Sequence, residues 1–133
     1  MRGKDGNKIP GAEIMLAVMA LFFQGGSRII TERSVYTIFS RLAKEFSDDF
    51  GEWTFGILPS SRFPYCGEFE DVLFRGAGCL LRTGPQMSSF TMNERMGQII
   101  LEKFEEHHGK AALGAVWILE ERFLKILKQE KID

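Results

Sequence analysis

The stretch "GCLLRTGPQMSSFTMNERMGQIILEKF", Gly78 to Phe104, decides the fold predicted for this chain. "CLLRTG" is short and apolar, "TGPQ" contains a Gly-Pro turn, and "SSFTM" returns as a second strand. A helix then begins, with Thr91 or Asn93 as its N-cap, and Gly109 ends it. Its core-facing residues are predicted to be Met96, Ile99, Ile100 and Phe104. The pattern predicts a strand, a turn, a strand and a helix.

Two helices are predicted before this stretch. The first covers about residues 12–23, contains the apolar run "IMLAVMALFF", and ends at "GGS". The second follows Thr31, whose hydroxyl can cap its first turn. Its apolar stripe recurs at steps of three and four residues: Val35, Ile38, Phe39, Leu42 and Phe46. The opposite face is predicted to be solvated: Arg33, Tyr36, Thr37, Arg41 and Lys44.

The middle of the chain predicts a long connection and a third helix. Residues 47–64, "SDDFGEWTFGILPSSRFP", contain acidic residues, Gly and Pro, with a short extended piece at "WTFGIL". "YCGEFEDVLFRGAG", residues 65–78, predicts the third helix, and residues 110–129 predict the last one. We therefore expect a flexible arm over residues 1–11 and a single mainly α (α+β) domain over residues 12–133.

Composition limits the classes of function. The chain has 133 residues and 44% hydrophobic content, which suits one folded domain. Its net charge of -1 supplies no general attraction for nucleic acid or an anionic membrane. Basic residues nevertheless outnumber acidic ones between Arg2 and Phe46, and the reverse holds from Ser47 to Asp71. The apolar run at residues 14–23 is too short to span a bilayer, so we expect a cytoplasmic protein.

No catalytic signature is present in the sequence. It lacks the phosphate-binding, zinc-protease and nucleophile-elbow patterns, and Cys66 and Cys79 form no C-x-x-C pair. His107 and His108 are adjacent and could offer a metal four ligands together with Glu105 and Glu106. Neighbours on a helix point about 100° apart, so these four side chains cannot all face one ion. We expect a non-enzymatic protein with no catalytic residues, no metal and no cofactor.

The strand-turn-strand stretch resembles the closing segment of the winged-helix superfamily. The matching positions are the strand residues Gly78, Leu80 and Leu81, the return-strand aromatic Phe90, and the capping turn Thr91-Met92-Asn93-Glu94. The glycine that the family has at this turn is missing, and Gly97 lies just beyond it. The resemblance covers residues 31–104 and implies a winged helix-turn-helix fold with a two-stranded wing and extra N- and C-terminal helices.

A second resemblance involves "FPYCGEFEDVLFRGAGCLLRT", residues 63–83. It is similar to a segment of the Panacea (SocA-like) antitoxin domain, with Pro64, Tyr65 and Leu73 in step. Cys66 replaces the serine that is usual there. This resemblance implies an antitoxin-like or adaptor role through protein-protein contacts.

Two functions follow as expectations. The winged-helix resemblance implies a transcriptional regulator that places its third helix in the major groove of duplex DNA and its wing on the backbone. The basic residues predicted to contact DNA are Arg62, Arg75, Arg82 and Arg95. Against this, the third helix bears Glu68, Glu70 and Asp71, which phosphates repel. The alternative is therefore a protein-protein interaction module that does not bind DNA.

The last helix predicts a homodimer, because its apolar residues extend further round the helix than one packing face requires. The predicted interface residues are Leu113, Val116, Trp117, Leu119, Phe123, Leu124 and Leu127. Small residues at 111, 112, 114 and 115 would let a second helix approach closely. The alternative is that this helix completes the core of its own chain beside the first helix.

Overall fold

The computed structural model describes residues 1–26, 28–50, 56–57, 64–65 and 81–130. This part of the chain is mainly helical and carries a small antiparallel sheet of strand order β1-β5-β4. The elements are α1 (Gly11–Phe23), β1 (Ile30–Thr31), α2 (Glu32–Glu45), α3 (Ser47–Phe50), β2 (Gly56–Ile57), β3 (Pro64–Tyr65), β4 (Leu81–Thr83), a 3-10 turn (Pro85–Met87), β5 (Ser89–Thr91), α4 (Glu94–His108) and α5 (Lys110–Glu130).

Several predictions fall on residues outside this description. They are residues 66–78 of the predicted third helix, the two cysteines, and the predicted DNA contacts Arg62 and Arg75. The predicted start of that helix at Tyr65 is wrong, because Tyr65 belongs to strand β3. The short extended piece predicted at "WTFGIL" is confirmed at Gly56–Ile57, which pairs antiparallel with Pro64–Tyr65.

Helix α2 begins and packs largely as its sequence predicts. The backbone N–H of Ser34 donates to Thr31 Oγ1 at 3.1 Å, so the predicted N-cap is confirmed. The first four of the five residues of the apolar stripe, from position 35 to position 42, are fully buried. Tyr36 was predicted to lie on the solvated face, and that prediction is wrong because its side chain is also 0% exposed. Helix α2 packs against both α5 and β3, so it buries a wider arc than one stripe.

The predicted strand, turn and strand are confirmed by β4, the 3-10 turn and β5. Phe90 is the central residue of β5 and pairs with Ile30 of β1 on one side and Arg82 of β4 on the other. Gly84 opens the turn with φ of 78°, a left-handed conformation that glycine adopts without a steric penalty. Strand β1, which also belongs to this sheet, was not predicted, because a two-residue strand is too short to show alternation of apolar and polar residues.

The core lies between α1 and the helices that surround it. Helix α1 packs against both α4 and α5, and nearly all of its residues are buried. The ring centroid of Phe123 in α5 lies 5.3 Å from those of Phe22 in α1 and Phe39 in α2. The last helix therefore completes the core of its own chain, which is the alternative that the sequence left open.

The N-terminal segment forms a turn rather than extending away from the domain. The N–H of Gly3 donates to the carbonyl of Asn7 at 2.8 Å, and the N–H of Lys4 donates to the carbonyl of His108 at 2.8 Å. Ile9 is buried in the core. The sequence predicted a flexible arm here, because its Gly-rich polar composition does not reveal these backbone contacts to the end of α4.

Helices α1 and α4 approach closely at Gly97, and this contact supports a prediction. A Cβ atom there would lie 3.1 Å from the carbonyl oxygen of Ala20 and would displace the Gln24 amide, which donates to the carbonyl of Glu94. We expect Gly97→Ala to lower the free energy of unfolding by about 1–2 kcal/mol, as overpacking does. The measurement is urea denaturation followed by circular dichroism.

The matched control is Gly114→Ala in α5, where an added Cβ meets no atom of the described residues within 4 Å. In dilute solution this change should raise the free energy of unfolding by about 0.5–1 kcal/mol, because alanine favours a helix over glycine. Equal stabilisation by both substitutions would show that the contact between α1 and α4 has room for a methyl group.

Candidate nucleic-acid interface

Helix α2 is joined at its first residue to the loop between β4 and β5, which we call the wing turn (residues 84–88). The backbone N–H of Glu32 donates to the carbonyl of Ser88 at 2.8 Å. Gly84, Pro85 and Gln86 in the wing turn are exposed. The N-terminal end of α2 and the wing turn therefore lie side by side on the surface.

Arg82, predicted to contact DNA, is held by contacts inside the protein. Its guanidinium nitrogen donates to Glu32 Oε2 at 3.0 Å, and its guanidinium carbon lies 4.8 Å from the ring centroid of Phe90. A contact with phosphate would have to compete with both. The geometry assigns Arg82 to holding β4 against the start of α2.

Arg95 lies apart from these contacts, in the first turn of α4. Its exposed side chain lines an open cleft of about 850 Å³. The other described residues that line the cleft are Gly26, Thr91, Met92, Asn93, Glu94, Gln98, Ile99 and Glu102. The acidic residues Glu94 and Glu102 line this cleft together with Arg95, whereas Arg82 does not line it. The structure thus does not bring the two described arginines of the predicted set into one basic site.

A basic surface does exist on α2. We call Arg33, Thr37, Arg41 and Lys44 the α2 basic face, since steps of four, four and three residues place them along one side of the helix. Arg33, Arg41 and Lys44 are exposed, and Thr37 is half-buried. Arg33 follows Glu32 directly, so the face begins beside the wing turn. From Arg33 to Lys44 it extends about 16 Å at 1.5 Å per residue.

The two acidic residues of α2 are both paired with arginines from other elements. Glu32 binds Arg82, and both carboxylate oxygens of Glu45 accept hydrogen bonds from Arg122 of α5 at 2.8 Å. The hydrogen bond from Arg122 lowers the pKa of Glu45 below its usual value, so this carboxylate stays ionised and paired at neutral pH. The pairs offset the two negative charges of α2 itself.

The amphipathic pattern of α2 predicts only that these residues lie on a solvated face. The spacing of Arg33, Arg41 and Lys44 was visible in the sequence, as was the basic excess before Phe46. The pairing of Glu32 and Glu45 was not, because their arginine partners lie 50 and 77 residues away along the chain. Long-range pairing of this kind has no local sequence signal.

The predicted dimer residues divide into two groups. Val116, Leu119 and Phe123 are buried against their own chain, at 0–1% exposure. The structure corrects this part of the predicted interface, because side chains packed into one core cannot also contact a second chain. Leu113, Leu124 and Leu127 are half-buried, whereas Trp117 is 56% exposed.

The two histidines lie at the C-terminal end of α4. His108 Nε2 lies 3.2 Å from Glu13 Oε1, and its ring packs against Phe104, while His107 is exposed. Within the described residues, no three His, Cys, Asp or Glu side chains are grouped closely enough to hold an ion.

In the part of the chain that the structure describes, none of the helices has the length and apolar character needed to cross a membrane. Comparison of the chain with models of protein families, with curated proteins and with solved structures gave no match.

Proposed function

We propose that this protein is a non-enzymatic winged-helix regulator that binds duplex DNA through the α2 basic face and the wing turn. The observation that carries the proposal is the position of that face, which begins at the residue next to the wing. A winged-helix domain uses both its helix-turn-helix and its wing on the same duplex.

The topology supports the winged-helix part of the proposal. Two antiparallel strands joined by a tight exposed turn follow the helices α1 and α2, and α4 begins three residues after the second strand. This order is compatible with a wing that closes the domain and with extra helices at both ends. β1, between α1 and α2, extends the sheet on the other side of β5.

Charge supports the DNA part. The exposed cations of α2 span about 16 Å, which corresponds to about five base pairs of rise along a duplex. The ion pairs at Glu32 and Glu45 offset the carboxylates that would otherwise repel phosphate. A local basic surface can therefore bind DNA although the net charge of the whole chain is -1. In this proposal Arg82 positions the wing rather than contacting phosphate.

The test is fluorescence anisotropy with a labelled 25-base-pair duplex of mixed sequence, at salt concentrations between about 50 and 200 mM. We expect affinity to fall steeply as salt rises, because bound cations displace counterions from the phosphates. Arg33→Ala and Lys44→Ala should each reduce the slope of log K against log salt by about one unit, on duplexes of any sequence.

The control is Lys103→Ala, which removes one exposed cation from α4 and changes the net charge by the same amount as Lys44→Ala. It should leave the salt slope unchanged. Absence of binding at about 50 mM salt, or an equal loss in the Lys103 control, would contradict the proposed interface.

The alternative is a protein-protein interaction module, and one observation favours it. Ile29, directly before β1, is 68% exposed, and Leu81 in β4 is 50% exposed. Leu81 pairs with Thr91 of β5, so both apolar side chains lie at the same end of the sheet. If DNA does not bind, the sheet should bind a protein, and Ile29→Ser with Leu81→Ser should abolish that binding while the fold is kept.

A further inference from the structure

We propose that the exposed side of α5 binds α5 of a second copy of this chain in antiparallel orientation. The surface consists of Lys110, Gly114, Trp117 and Glu121, which we call the α5 outer face. Steps of four, three and four residues place them on one side of the helix. This surface is independent of the α2 basic face, so the proposal stands whether or not the protein binds DNA.

Large apolar side chains are exposed on the α5 outer face and at its border, which is unusual for a helix surface. Trp117 is 56% exposed and its neighbour Ile118 is 59% exposed, whereas Val116 and Leu119 beside them are covered by the chain's own core. A large exposed aromatic side chain is a common anchor of an interface. Within the described part of the chain, folding leaves these two side chains largely uncovered.

Gly114, about one turn before Trp117 on the same helix, provides space for the Trp117 side chain of a second copy. Gly114 is exposed, and a Cβ built on it would meet no atom of the described residues within 4 Å. In an antiparallel pair with its two-fold axis midway between residues 115 and 116, Trp117 faces Gly114 of the second copy. The indole then enters the gap that the missing side chain leaves, as a knob enters a hole between packed helices.

The same axis pairs opposite charges. In this arrangement Lys110 faces Glu121 of the second copy, and Glu121 faces the Lys110 of that copy. Both residues are exposed. A parallel pair would instead bring lysine to lysine and glutamate to glutamate. Charge and shape therefore both select a two-fold antiparallel pair, the interface type in which the same patch is used twice.

The test is sedimentation velocity over a dilution series of the full chain. Wild-type protein should sediment as two chains at tens of micromolar. Lys110→Glu and Glu121→Lys should each raise the dissociation constant at least tenfold, because both facing pairs then have like charges.

Mixing the two variants restores the complementarity. In a mixed pair, one chain carries carboxylates at both positions and the other carries ammonium groups at both, so opposite charges face each other twice. An equimolar mixture of Lys110→Glu and Glu121→Lys should therefore sediment as a dimer. The chain that carries both substitutions should dimerise as wild type does.

Two more variants test the contact at the gap. Gly114→Leu and Trp117→Ala should each weaken the dimer at least tenfold, while circular dichroism stays unchanged because both positions are exposed. Lys44→Glu, on α2, makes the same charge change as Lys110→Glu and should leave the dimer intact. A wild-type chain that stays single at about 100 µM, or a mixture that fails to pair, would overturn the proposal.

Discussion

Replacing Phe123 by alanine is expected to lower the free energy of unfolding by about 3–5 kcal/mol, as buried Phe→Ala changes do. The ring is 0% exposed and contacts the rings of Phe22 and Phe39, which belong to two different helices. Its loss would leave a cavity where α1, α2 and α5 meet. Urea denaturation should show a lower midpoint with an unchanged slope.

The control for this prediction is Trp117→Ala, less than two turns earlier on the same helix. This change removes a larger ring, but Trp117 is 56% exposed and lies outside the core. In dilute solution, where the chain is single, we expect a loss of less than about 1 kcal/mol. Similar losses for both substitutions would mean that α5 is not anchored in the core through Phe123.

The contrast between Phe123 and Trp117 shows how far the sequence could predict this fold. Both residues belong to the apolar set of the last helix, and periodicity alone could not say which of them faces the chain's own core. The sequence predicted the end of this helix at residue 129, and the helix ends at Glu130. The prediction is close because the apolar residues of the helix continue up to the polar residues that follow Leu127. What covers each side of it depends on α1 and α2, which are distant from it along the chain.

In the candidate site, too, local sequence patterns predicted the caps and turns, but not the contacts between elements that are distant along the chain. Local signals predicted the Thr31 cap, the wing turn at Gly84 and the Asn93 cap, whose Oδ1 accepts from the N–H of Arg95 at 2.8 Å. The winged-helix resemblance led to Arg82 as a DNA contact, because Arg82 lies beside the predicted wing. The structure pairs it with Glu32, a contact made only when β4 meets α2.

Phe90 gives the second large prediction, because it connects β4 and the wing turn to the core. It is the central residue of the middle strand, is 0% exposed, and supports the Arg82 guanidinium at 4.8 Å. We expect Phe90→Ala to lower the free energy of unfolding by about 3–5 kcal/mol. The measurement is urea denaturation, together with hydrogen exchange of the β4 and wing-turn amides, which should become faster.

Phe90→Leu separates the two contributions of the ring. Leucine keeps apolar contact with the core but lacks the aromatic face, so it should retain most of the stability and lose about 0.5–1 kcal/mol of cation-π attraction to Arg82. If the wing fixes the start of α2, the alanine variant should also bind duplex DNA more weakly, at a temperature where it is still folded, although no phosphate-facing cation has changed. Unaltered exchange of the wing-turn amides in Phe90→Ala would show that Arg82 and its ion pair to Glu32 hold the wing in place without this ring.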